Sequence, residues 1–393
     1  MKKKIVVVGA GISGLLAAYY LVKAGHKVTV YEQERYPAMC TSFANGGQVS
    51  VSNSEVWTTW GNVFKGIKWM FSKDAPLLIR PTFEWAKIRW MTKFMWNTVT
   101  ARYGKNTADT IQLGMRSREL YKHIIAEEGL EFDQSFNGIL HFYKDADYLA
   151  NARSVKDLYE ANGCQWDMLD PHQVHLAEPS LRNDGSVLGG AWTEDDWMGD
   201  IHKFCTELTT VLKNKYGVKF SFGNTILDAK NLDYYDATVI SSGVGSTALA
   251  KTVGDTIDVY PVKGYSITIN LDDESFKHTP KTSLLDDEAK IVTSTLGMRF
   301  RVAGTAELTG ENYDIRRDRI EPLLEWVHTN FPKINTHDYT QWACLRPMAP
   351  DMMPIVKQSK KNPKVFYHTG HGHLGWTLSP ATAEQLTKLI DKY

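Results

Sequence analysis

The sequence predicts a mixed α/β protein that combines a parallel, nucleotide-binding sheet with a mostly antiparallel sheet and additional helices. Near the start, a continuously apolar strand is followed by a glycine turn and an amphipathic helix over Ile5–Ala24. Farther along, strand-like runs with alternating apolar residues lie between Tyr260 and Ala303. Continuous apolar strands are typical of parallel sheets buried on both faces, whereas alternation is typical of antiparallel sheets. The 393 residues also exceed what one simple core requires, so we expect two domains.

The start of the chain contains a dinucleotide-binding fingerprint. Strand Ile5–Val8 leads into Gly9–Gly14, which reads Gly-Ala-Gly-Ile-Ser-Gly, and then into helix Leu15–Ala24. A second strand, Lys27–Tyr31, ends directly before Glu32. The order strand, glycine turn, helix, strand and acid distinguishes this fingerprint from an isolated glycine turn.

Each part of the fingerprint has a mechanical role. Gly9 permits the tight turn, Gly11 lets a pyrophosphate approach the backbone, and Gly14 lets the helix pack on the sheet. The free N–H groups of the helix start, next to Ser13, face the phosphates. Glu32 accepts hydrogen bonds from a ribose diol and disfavours a 2′-phosphate, so NADP is not expected. FAD and NAD both remain, because each carries an unmodified adenosine ribose.

Composition argues against several other classes. Basic and acidic residues are equal in number, with 45 of each, so nothing predicts a nucleic-acid or polyanionic partner. The four cysteines form no CxxC pair, so neither a zinc site nor a dithiol motif is predicted, and reduced thiols are expected. They are Cys40, Cys164, Cys205 and Cys344.

Neither a signal peptide nor a membrane span is predicted. The apolar run after Met1–Lys4 is short, and the fingerprint glycines interrupt it. No run reaches the roughly 18 apolar residues of a spanning helix. We therefore expect a cytoplasmic protein, either free or resting peripherally on the cytoplasmic face of the inner membrane.

The segment Trp57–Trp96 has an unusual composition. It holds six of the twelve tryptophans, and seven basic residues against two acids. The basic residues are Lys65, Lys68, Lys73, Arg80, Lys87, Arg89 and Lys93. Tryptophans among Lys and Arg are typical of an interface with anionic lipid, but the same tryptophans would equally suit a core or a subunit contact. Nucleic acid is a poorer alternative, because the rest of the chain offers no basic surface.

Three other segments combine glycine with small polar residues. Thr41–Gln48 predicts either a loop whose backbone approaches a ligand or a plain surface turn. Ala237–Gly243 predicts a strand that delivers its small-residue end to a nucleotide. His368–Thr377 contains three histidines, yet the glycines between them and the lack of adjoining carboxylates or cysteines argue against a metal site.

Several motifs in this order are more specific than the fingerprint alone. The chain resembles the flavin-dependent D-amino acid oxidase superfamily, and most of all its bacterial D-amino acid dehydrogenases, over nearly its whole length. The matching stretches are Val8–Gly14, Thr41–Asn45 with Gly47 and Gln48, Pro261–Ile267, Leu345–Asp351 and Thr369–Trp376, together with Lys68-Trp69, Ala75–Leu77 and Ile79–Pro81. Two positions depart from the dehydrogenase pattern. Gly46 stands where alanine is usual, and Met352-Met353 replace smaller residues, which predicts a changed pocket wall.

The resemblance implies FAD instead of NAD, in a Rossmann-like FAD-binding domain with an inserted substrate domain of mostly antiparallel β-sheet plus helices. The implied FAD-binding domain is discontinuous and covers residues 1–56, 188–258 and 340–393. The implied substrate domain covers residues 57–187 and 259–339, with 57–96 as the segment of membrane contact.

The resemblance also implies roles for individual residues. Ser42–Gln48 is expected along the flavin, Gly370–Thr377 beside the isoalloxazine ring, and Ile226 at the adenine end. Arg346 matches the arginine that grips the substrate carboxylate in amino acid oxidases, and Tyr265 and Tyr313 are candidate hydrogen-bond partners in the pocket. No metal ligand is expected. The expected cofactor-binding residues are Gly9, Gly11, Ser13, Gly14, Glu32, Ser42, Asn45, Gly46, Gly47, Gln48, Ile226, Ser242, Gly243, Gly370, Gly372, His373, Leu374, Gly375 and Thr377.

These features predict a flavoenzyme that oxidises an amino acid, with the D configuration implied by the resemblance. A hydride leaves Cα for the flavin, and water converts the imine to a 2-oxo acid and ammonia. No Ser/His/Asp constellation stands out, and the step requires no obligatory side-chain base. A respiratory acceptor such as a quinone is expected to take the electrons. The alternatives are an oxygen-using oxidase of glycine, sarcosine or a hydroxyproline, an NAD-linked dehydrogenase, and a non-enzymatic flavin-binding or membrane-docking protein.

Overall fold

The computed structural model describes residues 2–69, 77–79 and 84–393. The helices are α1 (Ile12–Lys23), α2 (Trp60–Trp69), α3 (Trp85–Val99), α4 (Tyr103–Glu128), α5 (Ala146–Ala161), α6 (Pro171–Ala177), α7 (Ile201–Asn214), α8 (Ser246–Thr252), α9 (Asp273–Phe276), α10 (Arg317–Asn330) and α11 (Gly375–Lys392). The strands are β1 (Lys4–Val8), β2 (Lys27–Tyr31), β3 (Gln48–Val49), β4 (Leu77–Ile79), β5 (Ile139–Tyr143), β6 (Asp167–Leu169), β7 (Gly189–Thr193), β8 (Trp197–Met198), β9 (Lys219–Ser221), β10 (Ala237–Ile240), β11 (Tyr260–Asn270), β12 (Ser283–Asp286), β13 (Ile291–Thr295), β14 (Arg299–Leu308), β15 (Tyr339–Met348), β16 (Ile355–Gln358) and β17 (Val365–Thr369).

A six-stranded sheet carries the fingerprint. Its strands lie in the order β16-β17-β10-β1-β2-β9, and each neighbouring pair is parallel except β16 with β17. Ile5 and Val7 of the central strand β1 pack into an apolar cluster with α1, α7 and α11. Val6 and Val8 pack into a second cluster with α8 on the other face. Both faces are covered, which explains why the predicted strand is continuously apolar.

A nine-stranded sheet forms the second architecture. Its main order is β15-β11-β14-β13-β12-β5-β7-β6, and β4 pairs with β14. The pairs are antiparallel except β12 with β5 and β14 with β4. Helix α10 packs Leu323 and Val327 on the apolar side chains of β11 and β14. The predicted combination of a parallel and a mostly antiparallel sheet is confirmed.

Two strands at the expected domain boundaries pair within the nine-stranded sheet. Strand β7 pairs with β5 and β6, and β15 pairs with β11, so both belong to the nine-stranded sheet. The expected boundary at residue 188 falls just before β7, and the one at residue 340 falls inside β15. Helix α4, expected in the substrate domain, places Tyr121 and Ile124 in the cluster around α1. Hydrogen-bond ladders and helix faces decide these memberships, and the division into two domains stays a prediction.

The tryptophan-rich segment divides between surface and interior. On α3, Trp85 and Trp96 are 81% and 64% exposed. Trp90 is buried, and its Nε1–H donates to a backbone carbonyl of β15 at 2.8 Å. Lys87, expected among the lipid-facing charges, is instead buried and donates to a carbonyl of β14 at 3.0 Å. Outside the described residues lie Lys73, Arg80 and the side chains of Lys68 and Trp69.

The described part of the chain was also searched for a membrane span. No helix in residues 2–69, 77–79 and 84–393 combines the length and the apolar character needed to cross a bilayer.

Candidate active site

A cavity of about 1470 Å³ extends from the fingerprint to the nine-stranded sheet. Its wall contains the carboxyl ends of β1 and β2, the residues that follow β10, the turn before α11, and parts of β11, β14 and β15. Pockets for small molecules and cofactors usually measure about 300–1,000 Å³. The cavity therefore has room for a dinucleotide together with a small second molecule.

The three fingerprint glycines lie where a side chain would collide with the backbone or would narrow the cavity. Gly9 has a φ of +108°, and a Cβ there would lie 2.6 Å from the carbonyl oxygen of Ser241. A Cβ on Gly14 would collide with the carbonyl oxygen of Gly9, where α1 packs on the turn. Gly11 faces the cavity, and a Cβ there would meet only Ser42 Oγ, at 3.5 Å. A ligand can therefore approach the backbone at Gly11.

Glu32 lies at the end of β2 with both carboxylate oxygens hydrogen-bonded to backbone. Oε2 accepts from the N–H of Ala10 at 2.6 Å, and Oε1 accepts from the N–H of Glu34 at 3.0 Å. Burial raises the pKa of Glu32, and these backbone hydrogen bonds oppose the rise. The side chain lines the cavity at the position predicted for the ribose contact.

Two serines occupy the amino-terminal end of α1. The Ser42 hydroxyl accepts from the N–H of Ile12 at 3.2 Å. Ser13 Oγ lies 3.1 Å from Ser379 Oγ and 3.4 Å from His371 Nδ1. Both serines line the cavity, so the positive end of the helix dipole faces the space where a phosphate is predicted.

Most of the predicted site residues meet at this cavity. Those at its wall are Gly9, Gly11, Ser13, Glu32, Ser42, Asn45, Gly46, Gln48, Ile226, Ser242, Gly243, Tyr265, Tyr313, Arg346, Gly372, His373, Leu374, Gly375 and Thr377. Gly14, Gly47 and Gly370 are not at the wall. Gly47 and Gly370 both have a φ of +75°, so they shape turns that carry wall residues.

The small-residue loop before β3 is fastened to the nine-stranded sheet, which excludes a plain surface turn. The carbonyl oxygens of Ala44 and Gly46 accept from the hydroxyls of Ser266 and Ser294, both at 2.7 Å. A Cβ on Gly46 would collide with Cγ2 of Val292. Val292 thus occupies the space that the usual alanine would need.

Met352 and Met353 lie behind the wall and do not line the cavity. Met352 packs in an apolar cluster with Trp90 and Val262. The Met353 sulfur accepts from the Thr110 hydroxyl at 3.4 Å. The expectation that these two methionines change the pocket wall is therefore wrong.

At the far end of the cavity, Arg346 projects from β15 over Gly264 of β11. A Cβ on Gly264 would lie 2.5 Å from Cζ and 2.6 Å from Nη1 of Arg346, so the guanidinium fills the space that glycine leaves open. Nη1 donates to the Thr305 carbonyl at 3.0 Å. Thr305 has a φ of +59°, in the bulge where the β11–β14 register shifts. Burial lowers the pKa of the guanidinium, which nevertheless stays cationic at neutral pH.

Tyr265 lies beside this arginine, but its hydroxyl points into a buried ionic cluster. The hydroxyl donates to Glu307 Oε2 at 3.1 Å, and Arg319 Nε donates to Glu307 Oε1 at 3.0 Å. The ammonium of Lys263 lies 3.4 Å from the same carboxylate. Burial raises the pKa of the phenol, so it stays protonated. Its proton is committed to Glu307, so Tyr265 offers a pocket ligand only its oxygen lone pair and its ring.

Tyr313 and His373 complete this compartment. Partial burial raises the pKa of the Tyr313 phenol to about 12, so the group remains a hydrogen-bond donor. The His373 ring stacks on Trp57 with centroids 5.0 Å apart. Both His373 nitrogens are shielded from solvent. Burial, followed by the charge of Arg346, lowers the pKa of His373 to about 4, so the ring is neutral.

The other two histidines of the glycine loop point elsewhere. His368 Nε2 and His371 Nε2 each lie 2.9 Å from the Thr382 hydroxyl. The three histidines therefore do not converge on one point. Within the described ranges, no group of three or more His, Cys, Asp and Glu side chains is placed to hold a metal ion.

One polar network in the wall was missed by the sequence reasoning. Ser52 Oγ lies 2.9 Å from His141 Nε2, and His141 Nδ1 lies 3.0 Å from Asp287 Oδ2. The three residues come from distant segments, so no spacing in the sequence reveals them. The single signal is a histidine in the middle of the apolar strand β5, because a buried polar side chain requires a partner. No Ser/His/Asp constellation stands out in the sequence, and folding alone brings these three residues together.

The fold and the site define a dinucleotide-binding protein whose cavity continues into a second, arginine-containing compartment. Residues 4–389 match the family described as FAD dependent oxidoreductase (DAO), and the chain belongs to this family. The cofactor is therefore FAD, and the NAD alternative is set aside.

Relatives match this chain along its whole length. D-amino acid dehydrogenase 3 of Mesorhizobium japonicum is 45% identical over 404 residues, which cover 98% of this chain and 97% of that protein. D-amino acid dehydrogenase of Rhizobium johnstonii is 36% identical over 405 residues, with 98% and 95% covered. Glycine oxidase from Bacillus cereus superposes with a TM-score of 0.75 at 18% identity, over 100% of this chain and 95% of that one. At this identity the structural likeness supports the fold alone.

The wall residues fit FAD. Gly11 leaves open the space that a Cβ would take, next to the start of α1, where the diphosphate would be held. The Glu32 carboxylate would hold the ribose. The buried Ser241 hydroxyl has no hydrogen-bond partner among the described residues, although Ser241 lines the cavity. Such unsatisfied buried polar atoms are expected where a bound group supplies the missing hydrogen bonds.

Proposed function

We propose that this protein oxidises a D-amino acid at Cα, yielding an imine and then a 2-oxo acid and ammonia. The observation that carries the proposal is the Arg346 guanidinium, which lies in the cavity that also contains the dinucleotide cradle. Arginine pairs with a carboxylate through two parallel hydrogen bonds. The names of the two full-length relatives supply the amino acid and its D configuration.

The chain's own residues have separate tasks in this reaction. Arg346 holds the substrate carboxylate, with Nη1 already oriented by the Thr305 carbonyl. The protonated Tyr313 hydroxyl donates to the same carboxylate. The neutral His373 ring and Trp57 cover the compartment without adding charge. FAD, when bound, supplies the two-electron acceptor for the hydride of Cα.

We further propose that a respiratory acceptor such as a quinone takes the electrons, at a peripheral membrane contact. Large apolar side chains are exposed on α2 and α3, namely Trp60, Phe64, Trp85 and Trp96. The same two helices contribute Val63, Met91 and Met95 to the cavity wall. A lipid-facing surface beside the cavity would let an apolar acceptor reach the flavin.

Anaerobic bleaching of the yellow holoenzyme tests the function. Matched D- and L-amino acids are mixed with the enzyme under argon, and glycine and sarcosine are included for the oxidase alternative. We expect bleaching by D-amino acids and slow recovery with oxygen, but fast recovery with a short-chain ubiquinone. FAD-loaded enzyme that no amino acid bleaches would contradict the proposal and favour a non-enzymatic flavoprotein.

A further inference from the structure

Ser52, His141 and Asp287 form a hydrogen-bonded chain at the cavity wall. His141 lies between the other two, 2.9 Å from Ser52 Oγ and 3.0 Å from Asp287 Oδ2. Its side chain is 2% exposed, and all three residues line the cavity. The chain adjoins Ser50, whose N–H donates to the Thr377 hydroxyl at 3.1 Å, and none of its three residues has a task in the proposed function.

Asp287 decides which nitrogen of His141 carries a proton. Burial by itself raises the pKa of Asp287, but the hydrogen bond and charge of His141, with the charge of Lys290, hold the pKa at about 2. The carboxylate is therefore ionised and can only accept. His141 Nδ1 consequently donates to Asp287, and in the neutral form of the ring this leaves Nε2 to accept from the Ser52 hydroxyl.

Ser52 is held so that its oxygen can serve a ligand. Its hydroxyl donates to His141, and its oxygen lies 3.0 Å from the Ser50 hydroxyl, which can donate to it. Its backbone N–H donates to Asp196 at 2.9 Å, which fixes the residue at the wall. One lone pair of Ser52 Oγ is left for a donor in the cavity.

The surrounding charged and titratable groups pair with Asp287 or with one another. Asp196 is paired with Arg118 at 3.1 Å, and Lys290 Nζ lies 3.6 Å from Asp287. Burial raises the pKa of Tyr143 and of Tyr159, so both stay protonated. Glu55 accepts from Tyr103 at 3.0 Å, and burial raises its pKa.

His373, Tyr313 and Tyr265, which line the cavity with Arg346, are poor proton acceptors at neutral pH. The pKa of His373 is lowered to about 4 by burial and by the charges of Arg346 and Lys290. Tyr313 is protonated, and the Tyr265 proton is directed to Glu307. Arg346, His373, Lys290 and Asp287 all line the same cavity as Ser52.

We propose that Ser52, His141 and Asp287 are a proton relay that deprotonates the ammonium group of the bound amino acid before its Cα–H bond breaks. The relay rests on the proposed amino acid oxidation. The substrate N–H bond breaks, its proton passes to Ser52 Oγ, and the Ser52 proton passes to His141 Nε2. This step is a proton transfer without oxidation or reduction. It leaves the substrate with the amine lone pair that imine formation needs. Ser52 touches the substrate, whereas His141 and Asp287 are positioning residues.

The test compares flavin reduction by wild-type and H141Q holoenzymes from about pH 6 to pH 10, using the D-amino acid that bleaches the wild type fastest. We expect H141Q to be slower by about 100-fold at pH 7, since general base catalysis contributes about 10²–10⁴-fold. The deficit should disappear as the pH nears the pKa of the free amine, because solution then supplies neutral amine. S52A should follow the same profile.

Two controls separate a relay from a structural role. H26Q removes another buried histidine, which pairs with Asp391 at 2.9 Å outside the cavity, and should keep the wild-type pH profile. The non-reacting amino acid 2-methylalanine has no Cα–H and perturbs the flavin spectrum when it binds. Its Kd should stay within about threefold of wild type in H141Q, because Arg346 is unchanged.

Several results would overturn the relay. One is a deficit in H141Q that is constant across the pH range, and another is an unchanged rate. The same pH-dependent loss in E55Q instead of H141Q would assign the proton to Glu55. If wild-type enzyme loaded with FAD is bleached by no amino acid, the proposed function fails instead, so the two failures are distinguishable.

Discussion

Arg346 and Gly264 share one space in the molecule. The guanidinium on β15 lies where a side chain at Gly264 would begin, with Cζ 2.5 Å and Nη1 2.6 Å from that Cβ position. In the β11–β15 ladder, Arg346 is opposite Val262 and Gly264 is opposite Cys344, so the arginine side chain leans along the sheet to the next pair. Glycine at position 264 therefore leaves space for the Arg346 guanidinium, and no unusual backbone conformation requires it.

The first prediction follows from this shared space. G264A should displace the guanidinium, because overpacking costs about 1–3 kcal/mol. We expect kcat/KM for the D-amino acid to fall by about 5- to 150-fold, mainly through KM, with FAD content unchanged. G104A is the matched control, since a Cβ there meets nothing within 4 Å. Equal kinetics for G264A and wild type would show that Arg346 does not need the space that Gly264 leaves open.

The second prediction concerns the shape of the cation at position 346. R346K keeps a positive charge but loses the planar fork that pairs with a carboxylate. Because hydrogen bonds to charged groups contribute about 1.5–3 kcal/mol, we expect a loss of about 10- to 100-fold in kcat/KM. FAD absorbance should be retained. Unaltered steady-state kinetics would exclude Arg346 from the substrate site.

The third prediction tests the fit between Gly46 and Val292. G46A should lower the free energy of unfolding by about 1–3 kcal/mol, because the new methyl group collides with Val292 Cγ2. V292A opens that space, so the double variant should be more stable than the sum of the single changes predicts. Urea unfolding of the four proteins measures the coupling. Strict additivity would show that the loop moves away instead.

The fourth prediction concerns acid stability. The pKa of Asp287 is lowered from 3.8 to about 2, so its ionised form stabilises the folded state. For a lowered pKa, this stability is present above pH 4 and is lost as the pH falls towards 2. The difference in unfolding free energy between wild type and D287N should therefore shrink over that interval. A difference that is the same at pH 5 and at pH 2 would contradict the lowered pKa.

The fifth prediction concerns the exposed face of α3. A variant with W85S and W96S should lose most of its flotation with vesicles that contain anionic lipid, because indole rings anchor at the headgroup level. L176S removes another apolar side chain, 66% exposed on α6 and away from the cavity wall, and should float like wild type. Wild-type protein that stays in the lower fraction would end the membrane proposal.

Much of the nucleotide end could be predicted from local pattern. The strand, the glycine turn and Glu32 lie within one short stretch, where spacing dictates geometry, and Gly9 and Gly14 leave no space for a side chain. The sheet to which β7 and β15 belong could not be predicted, because the residue pattern of a strand does not indicate which strand it pairs with. The burial of Lys87 could not be predicted either, because its ammonium donates to the carbonyl of Leu308, which is far away in sequence.

The sequence by itself determined the fold class, the dinucleotide fingerprint and the arginine in Leu-Arg-Pro, because each depends on residues that are neighbours along the chain. Only the tertiary structure decided that Gly264 leaves space for Arg346. It also decided that Val292 fills the space a methyl group at position 46 would need. The hydrogen-bonded contact of Ser52, His141 and Asp287 likewise depends on folding. These contacts join segments far apart in sequence. They depend on strand register and close packing, which periodicity does not encode.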